Sequence, residues 1–439
     1  MQARSLRYLA LFARLIFIPV GALLILVGGD SGVSCLNIFL ALFLISCCLY
    51  FPRYVISPTS VVLGYYALWY VLAAYFAEIY SESDFSNQIY AYAYAMAFSA
   101  MSVALISIRF GEELVEKLTK PTESHSKEYL IGIPHLILFY FMATILVVAI
   151  VLSSGGFSKW ILDPGDAFLN RGGSGVFVVL SHFFTFCLAI SVGQYSFANK
   201  SKPTIAIFIF WLVLTSPVHG SKWFISVLFV LALMPWLRTV STLSFKSIYL
   251  GSAFVGIFFA GLYFRNSSWM TLDEAIPYAL NYFTVVRNLV MSIEDYSPDL
   301  LATFLLPFNK FLTPFGLTDA SLYYDMNHML TDKYFPTAWE IRATEQWPVE
   351  TDLYLNFYFI FGLPLLALYF GVLGFLYKLA HNSQSVGVWA VSFLLIVSII
   401  SHLRGSLINH VDLYMYPMMV LIYFLFKNSS FRYTSTRNN

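Results

Sequence analysis

The chain has 439 residues, of which 59% are hydrophobic, 18% aromatic and 11% charged, with a net charge of +1. Soluble domains carry about 25% charged residues, so this composition excludes an ordinary soluble enzyme. The near-zero charge excludes a nucleic-acid partner.

Runs of Leu, Ile, Val, Phe and Tyr, each about 20 residues long, are the length a helix needs to cross a bilayer. In chain order they predict about twelve spans: 9–27, 35–51, 60–78, 88–108, 132–152, 176–197, 203–217, 222–237, 247–264, 353–376, 385–402 and 410–427. The first follows Arg4, Arg7 and Arg14 and ends in Val27-Gly28-Gly29-Asp30 with no A-x-A-like site, so it reads as an uncleaved span. Cys35, Cys47, Cys48 and Cys187 all lie in apolar runs, which predicts no disulfide. Segment 109–131, with Glu112, Glu113, Glu116, Lys117, Lys120 and Lys127, reads as a solvated amphipathic helix. Pro217-Val218-His219-Gly220-Ser221-Lys222 separates the two shortest runs, which can also be one broken pair. The chain therefore divides into N-terminal membrane helices (1–264), a large loop (265–352) and C-terminal membrane helices (353–439).

Lys and Arg in short loops set orientation. With the N-terminus in the cytoplasm, that side holds Arg53, Arg109, Lys200, Lys202, Arg238, Lys246, Lys378 and Lys427 among others. An even number of spans returns the C-terminus there, and 265–352 faces outward. The outer cations are then exceptions: Lys159, Arg171, Lys222, Arg265, Arg287, Lys310, Lys333, Arg342 and Arg404. Each can snorkel to headgroups or pair with Asp273, Glu274, Glu350 or Asp352. As a set, Arg171, Lys222, Arg265, Arg287 and Arg404 favour a bound anion, because an Arg presents two parallel donors to phosphate oxygens. A lipid-linked pyrophosphate at the outer leaflet is the anion that suits such a site.

Loops longer than about 15 residues are uncommon and usually functional, and 265–352 has its own pattern. Thr271-Leu272-Asp273-Glu274 reads as a capping box. Ile276, Leu280, Phe283, Val290 and Ile293 follow at helical spacing, so 272–294 is expected to be an amphipathic helix carrying Arg287. Leu300 to Leu317 is apolar but broken by Pro307 and Pro314, which suits an interfacial or re-entrant segment. A short helix is expected over 318–332. Tyr323, Tyr324, Trp339 and Trp347 can stack on sugar faces or form an interfacial aromatic belt.

Two stretches carry candidate chemistry. Glu350 and Asp352 stand just above the tenth predicted span and can act as acid or base on a sugar hydroxyl; an E-x-D metal site is the weaker alternative. His402, in Ser401-His402-Leu403-Arg404-Gly405-Ser406, can shuttle a proton or be a plain interfacial histidine. His328, His182, His219 and His410 rank below it. The sequence holds no G-x-G-x-x-G, Walker loop or D-x-D, so no nucleotide, metal or other cofactor is expected.

About twelve spans, a large outer loop in the C-terminal third, a carboxylate followed by Leu353-Tyr354-Leu355-Asn356-Phe357, Phe361-Gly362 entering the next span, and Arg404-Gly405 in the last outer turn form one pattern. In it the chain resembles the Wzy-type O-antigen (oligosaccharide repeat-unit) polymerases. Arg171-Gly172-Gly173-Ser174-Gly175 resembles the family's Arg-bearing earlier loop. His219-Gly220-Ser221-Lys222 resembles its Gly-Ser-Arg turn, with Lys222 where Arg is usual; the Arg-x10-Gly pair that some members show in two outer loops is not found here. The resemblance implies a GT-C-like, all-α polytopic membrane glycosyltransferase of the bacterial inner membrane. Its implied partners are undecaprenyl-pyrophosphate-linked oligosaccharide donor and acceptor, membrane lipids and a chain-length regulator protein. An O-antigen ligase using lipid A-core as acceptor, and a flippase for lipid-linked sugars, stay open. Polar groups gathered at one face, not at the midplane, favour the enzyme over the transporter.

Overall fold

The structure, a computed structural model, describes the chain except residues 1, 31–33, 77–84, 119–131, 163–166, 169–174, 220–221, 250, 253–254, 257–270, 272–273, 275–279, 281–282, 319–322, 341–344 and 432–439. It is all-helical, with two isolated bridges, Tyr54 to Ser241 and Ser385 to Ser430, as the extended pairings among the described residues. The helices used below are α1 (Gln2–Asp30), α2 (Cys35–Leu49), α3 (Pro58–Phe76), α4 (Asn87–Leu118), α5 (Ile133–Ser153), α6 (Gly175–Asn199), α7 (Lys202–His219), α8 (Lys222–Leu237), α9 (Val286–Asp295), α10 (Met326–Tyr334), α11 (Val349–Phe357), α12 (Leu363–Asn382), α13 (Val386–Leu403) and α14 (Asp412–Phe426).

Eight of the described helices are long and apolar enough to cross a membrane: Ala13–Asp30, Pro58–Phe76, Asn87–Leu118, Ile133–Ser153, Gly175–Asn199, Lys202–His219, Ile360–Asn382 and Val386–Leu403. Three shorter apolar helices, Cys35–Leu49, Phe224–Leu237 and Asp412–Phe426, coincide with expected runs. The expected run 247–264 lies largely outside the described residues. The segment 109–118 is not a separate linker helix. It continues α4, and Arg109 bridges Glu112 at 3.2 Å and Glu113 at 3.3 Å one turn on.

The tenth expected run needs correcting. The chain does not enter a span at Leu353, because Tyr358 and Phe359 both take positive φ (50° and 60°) and end α11 at Phe357. The span starts instead at Ile360. Leu353 to Phe361 is apolar but for Asn356, with no Gly or Pro at the break, so hydropathy did not reveal it. In the large loop, Thr271 N donates to Glu274 Oε2 at 2.8 Å, the reciprocal half of a capping box. Of the expected helix 272–294, residues 272–273, 275–279 and 281–282 lie outside the described residues; Glu274 and Leu280 are helical, Phe283 to Val285 are not, and Val286–Asp295 is helix. The second loop helix begins at Met326, eight residues later than expected, where the Asp325 side chain accepts from His328 N at 2.8 Å. Between them, Leu306–Phe308, Asn309–Leu312 and Thr313–Phe315 are single turns, with Pro307 and Pro314 tolerated in first-turn positions.

The chain forms two compact units, each discontinuous in sequence. The first comprises Met1–Leu114, Ser241–Phe375 and Ser398–His410. Within it α4 and α12 approach at backbone distance: a Cβ on Gly374 would run into the Ile108 carbonyl, and one on Gly111 into that of Gly371. Small residues at such crossings let membrane helices pack closely. The large loop is not a free appendage, since its described residues belong to this same unit. The second comprises Val115–Val240, Leu376–Val397 and Val411–Asn439. There α6 lies along α5 and α8, Gly193 meets the Ala232 backbone, and Arg238 stands 4.0 Å over the Phe431 ring.

Candidate functional site

One turn of the first unit, Ser401 to His410, is a crossroads. It includes the last residues of α13, and five of its residues hold other elements. His402, buried, shares a 2.5 Å hydrogen bond between its Nδ1 and the Tyr369 hydroxyl. The Leu403 carbonyl accepts from Tyr65 OH at 2.8 Å, and the Arg404 carbonyl accepts from Asn327 Nδ2 at 3.3 Å. Leu407 N donates to Asp352 Oδ2 at 3.0 Å. His410 Nδ1 stands 3.7 Å from Asp325 Oδ2.

Below the turn lies a buried carboxylate hub. Glu350, Thr351, Asp352 and Asn356 on α11 are all 0% exposed. Glu350 Oε1 accepts from Tyr66 OH at 2.6 Å and Oε2 from Tyr70 OH at 2.7 Å. Asp352 Oδ1 accepts from Asn356 Nδ2 at 2.7 Å. Asn356 Oδ1 in turn accepts from Thr303 N at 2.6 Å and Phe304 N at 3.0 Å. Trp69, one turn from Tyr66, donates to Gln346 Oε1 at 2.9 Å. The stretch Ala67–Leu72 is a wide π turn, a feature that concentrates at functional sites. Burial pushes the Glu350 carboxyl up to about 7, against the lowering effect of the two tyrosine hydroxyls. Burial likewise lifts Asp352 to about 6, opposed by Leu407 N, Ser406 and Asn356. Both carboxylates already have partners on both oxygens, so their geometry is that of a staple joining α3, α11 and the turn.

Above the turn is a second, more open cluster. Asp325 caps α10 with its Oδ1 3.5 Å from His328 Nδ1, and its Oδ2 faces His410. The two imidazoles stack at 6.2 Å. Trp339 lies 5.1 Å from His328, and Tyr324 lies 6.4 Å from His328 and 6.1 Å from His410. Burial works to raise the Asp325 carboxyl, but the two histidines and the His328 backbone amide overcome it and hold it below the usual range. Burial pushes His328 down, and its Nδ1, at ion-pair distance from the Asp325 carboxylate, has no hydrogen-bond partner among the described residues. The groups themselves are those of general-base chemistry, imidazoles with a carboxylate beside them. Among the described residues, no group of three His, Cys, Asp or Glu is set to hold a metal ion.

The expected site residues distribute as follows. Arg404 and Arg287 are half-buried in the first unit, and burial raises the Glu345 carboxyl, an effect that the nearby Arg287 only partly opposes. Arg171 and Arg265 lie outside the described residues. Lys222 opens α8 in the second unit. Tyr324 and Trp339 flank the histidines; Tyr323 donates to Asp332 and meets Trp339 edge-on at 6.0 Å. Trp347 is fully buried against Tyr334, leaving no face for a sugar. Sequence reasoning missed Asp325 altogether and ranked His328 and His410 low. The available signal was Asp325-Met326-Asn327-His328, an acidic residue at N-cap spacing before a helix. It also missed Tyr66 and Tyr70, whose hydroxyls in an apolar span needed buried acceptors. Comparison of the chain with family profiles, with curated proteins and with solved structures gave no match.

Proposed function

We propose that the chain is a membrane glycosyltransferase of the Wzy-polymerase kind. In this reading about twelve spans form a GT-C-like body in the bacterial inner membrane, with both termini cytoplasmic and 265–352 outward. It joins undecaprenyl-pyrophosphate-linked repeat units into surface polysaccharide. The observation that carries the reading is the Asp325–His328–His410 cluster with Tyr324 and Trp339, anchored through Asn327 to the Arg404 turn at the end of α13.

The chemistry follows from those side chains. An acceptor sugar hydroxyl loses its proton to an imidazole nitrogen of His328 or His410, beside the Asp325 carboxylate. Its oxygen bonds to the donor's anomeric carbon as the bond to the carrier pyrophosphate breaks. Arg404 and Arg287 neutralise the pyrophosphate, which leaves with the electron pair. Tyr324 and Trp339 supply aromatic faces for sugar rings. Glu350 and Asp352 act by positioning the turn. Arg171, Lys222 and Arg265 remain phosphate ligands on the sequence reading alone.

A deletion strain complemented with Asp325→Asn, with His328→Gln and with both histidines replaced tests this. Single repeat units on the lipid A-core in the deletion, restored to long chains by the natural sequence but not by Asp325→Asn, are expected. Uncapped core would instead make the protein a ligase. Loss of outward lipid-linked units would make it a flippase. Normal chain lengths from Asp325→Asn and from the double histidine variant would remove the proposed base.

A further inference from the structure

The turns of residues 300–317 are built inside out for an aqueous loop. Their polar side chains Thr303 and Asn309 are buried, at 2% and 8% exposure. Their large apolar side chains face outward: Leu300 64%, Leu305 57%, Phe308 38%, Phe311 40%, Phe315 78% and Leu317 69%. Large contiguous apolar exposure on a protein surface marks an interaction site. The segment cannot cross a bilayer, because its turns are only three or four residues long and interrupted by Pro307 and Pro314.

Its position identifies what covers it. Asp299 N donates to the Leu355 carbonyl at 2.9 Å and Leu301 N to the Asn356 carbonyl at 3.0 Å. The Asn356 side chain holds Thr303 and Phe304, and the Phe304 ring meets Phe357 edge-on at 5.4 Å. The segment is thereby fixed to the C-terminal end of α11. Three residues on, the chain begins the span Ile360–Asn382, where Ile360 and Phe361 are 69% and 73% exposed. The apolar patch is thus continuous with a surface that faces lipid. Lys310 is exposed at its edge, 5.9 Å from the Tyr324 ring, where a cation can reach headgroup phosphates.

We infer that residues 300–317 are a monotopic membrane element, whose exposed leucines and phenylalanines enter one lipid leaflet beside the start of Ile360–Asn382. The inference rests on the chain being a membrane protein and not on its being a polymerase. Through Asn309 Nδ2, which donates to the Tyr323 carbonyl at 3.0 Å, the element is tied to the strand of chain leading into Asp325. A lipid-linked substrate diffusing in that leaflet would meet this ledge before the histidine cluster.

Spin labels at 308, 311 and 315, in a chain with its four cysteines replaced and reconstituted in nanodiscs, test this. Collision with oxygen is expected to exceed collision with a water-soluble nickel chelate at all three positions, as at Phe141, an exposed residue of the span Ile133–Ser153. Glu340, polar and exposed, should show the reverse. A nickel preference like that of Glu340 would place the segment in water and overturn the inference. Poor collision with both would mean that protein covers the patch, and would overturn it equally. Should the cysteine-free chain aggregate, a benzophenone amino acid at Phe311 in the natural background gives the same answer: lipid adducts support the inference, and their absence alongside adducts to protein refutes it. Glycan synthesis enters neither readout, so the polymerase reading can fail while this stands.

Discussion

Glu350→Gln should change how stability depends on pH. The carboxyl ionises near 4.5 in an unfolded chain and at about 7 in the buried hub. The folded state therefore holds the proton more tightly. The stability this confers is complete below about pH 4.5 and is lost as pH rises through about 7. At about 1.4 kcal/mol per pH interval, the loss amounts to about 3 kcal/mol. Gln cannot ionise, yet its oxygen can still accept from one of Tyr66 and Tyr70 while its amide donates to the other hydroxyl oxygen. The variant should therefore gain about 3 kcal/mol on the natural protein between pH 4.5 and pH 8. Asp352 titrates with the same sign, from 3.8 to about 6, but it is present in both proteins and cancels in the difference. Reversible denaturant unfolding of both proteins in detergent micelles at a series of pH values reads this difference directly. Parallel stability curves across the whole range would refute the buried-charge reasoning.

Arg404→Ala and Arg287→Ala should each lower glycan elongation about 10- to 100-fold, since a charge-assisted bond is worth about 1.5–3 kcal/mol, and Lys should rescue only partly; chain-length gels at matched protein level check this. Lys333→Ala should leave chain length unchanged, because its ammonium sits 3.8 Å over the Tyr296 ring in a structural contact; a modest loss of thermal stability is the expected effect. Gly374→Leu should force α4 and α12 apart at Ile108, at a cost of about 1–3 kcal/mol or more, read as a lowered unfolding midpoint. Tyr358→Gly should raise stability by about 1 kcal/mol, read as a higher midpoint, since relief of the left-handed backbone strain outweighs the loss of a half-exposed side chain.

The membrane helices were legible because crossing a bilayer requires a composition that a single sequence displays. The capping box at Thr271 was legible because its two partners are three residues apart. The true start of the span after α11 was not, because Tyr358 and Phe359 take left-handed backbone without being residues that signal it. The roles of Glu350 and Asp352 were half legible. Their importance shows as charge beside an apolar run, but their partners do not, since Tyr66, Tyr70 and Leu407 belong to distant segments. Asp325 was overlooked because the helix it caps was expected to begin earlier, which put the residue in a helix interior.

The bond between Tyr66 and Glu350 joins residues 284 apart in sequence. A ribosome adding about 5–20 residues per second makes the second partner roughly 15–60 s after the first. Throughout that interval α3 is in the membrane with the hydroxyls of Tyr66 and Tyr70 lacking their final acceptor, and Leu403, which receives Tyr65, comes later still. The first compact unit can close only when the chain is almost complete. Biogenesis is thus the stage at which this protein is most exposed to quality control, and a change such as Glu350→Ala, which removes both acceptors, would be felt first as lower abundance rather than as altered chemistry.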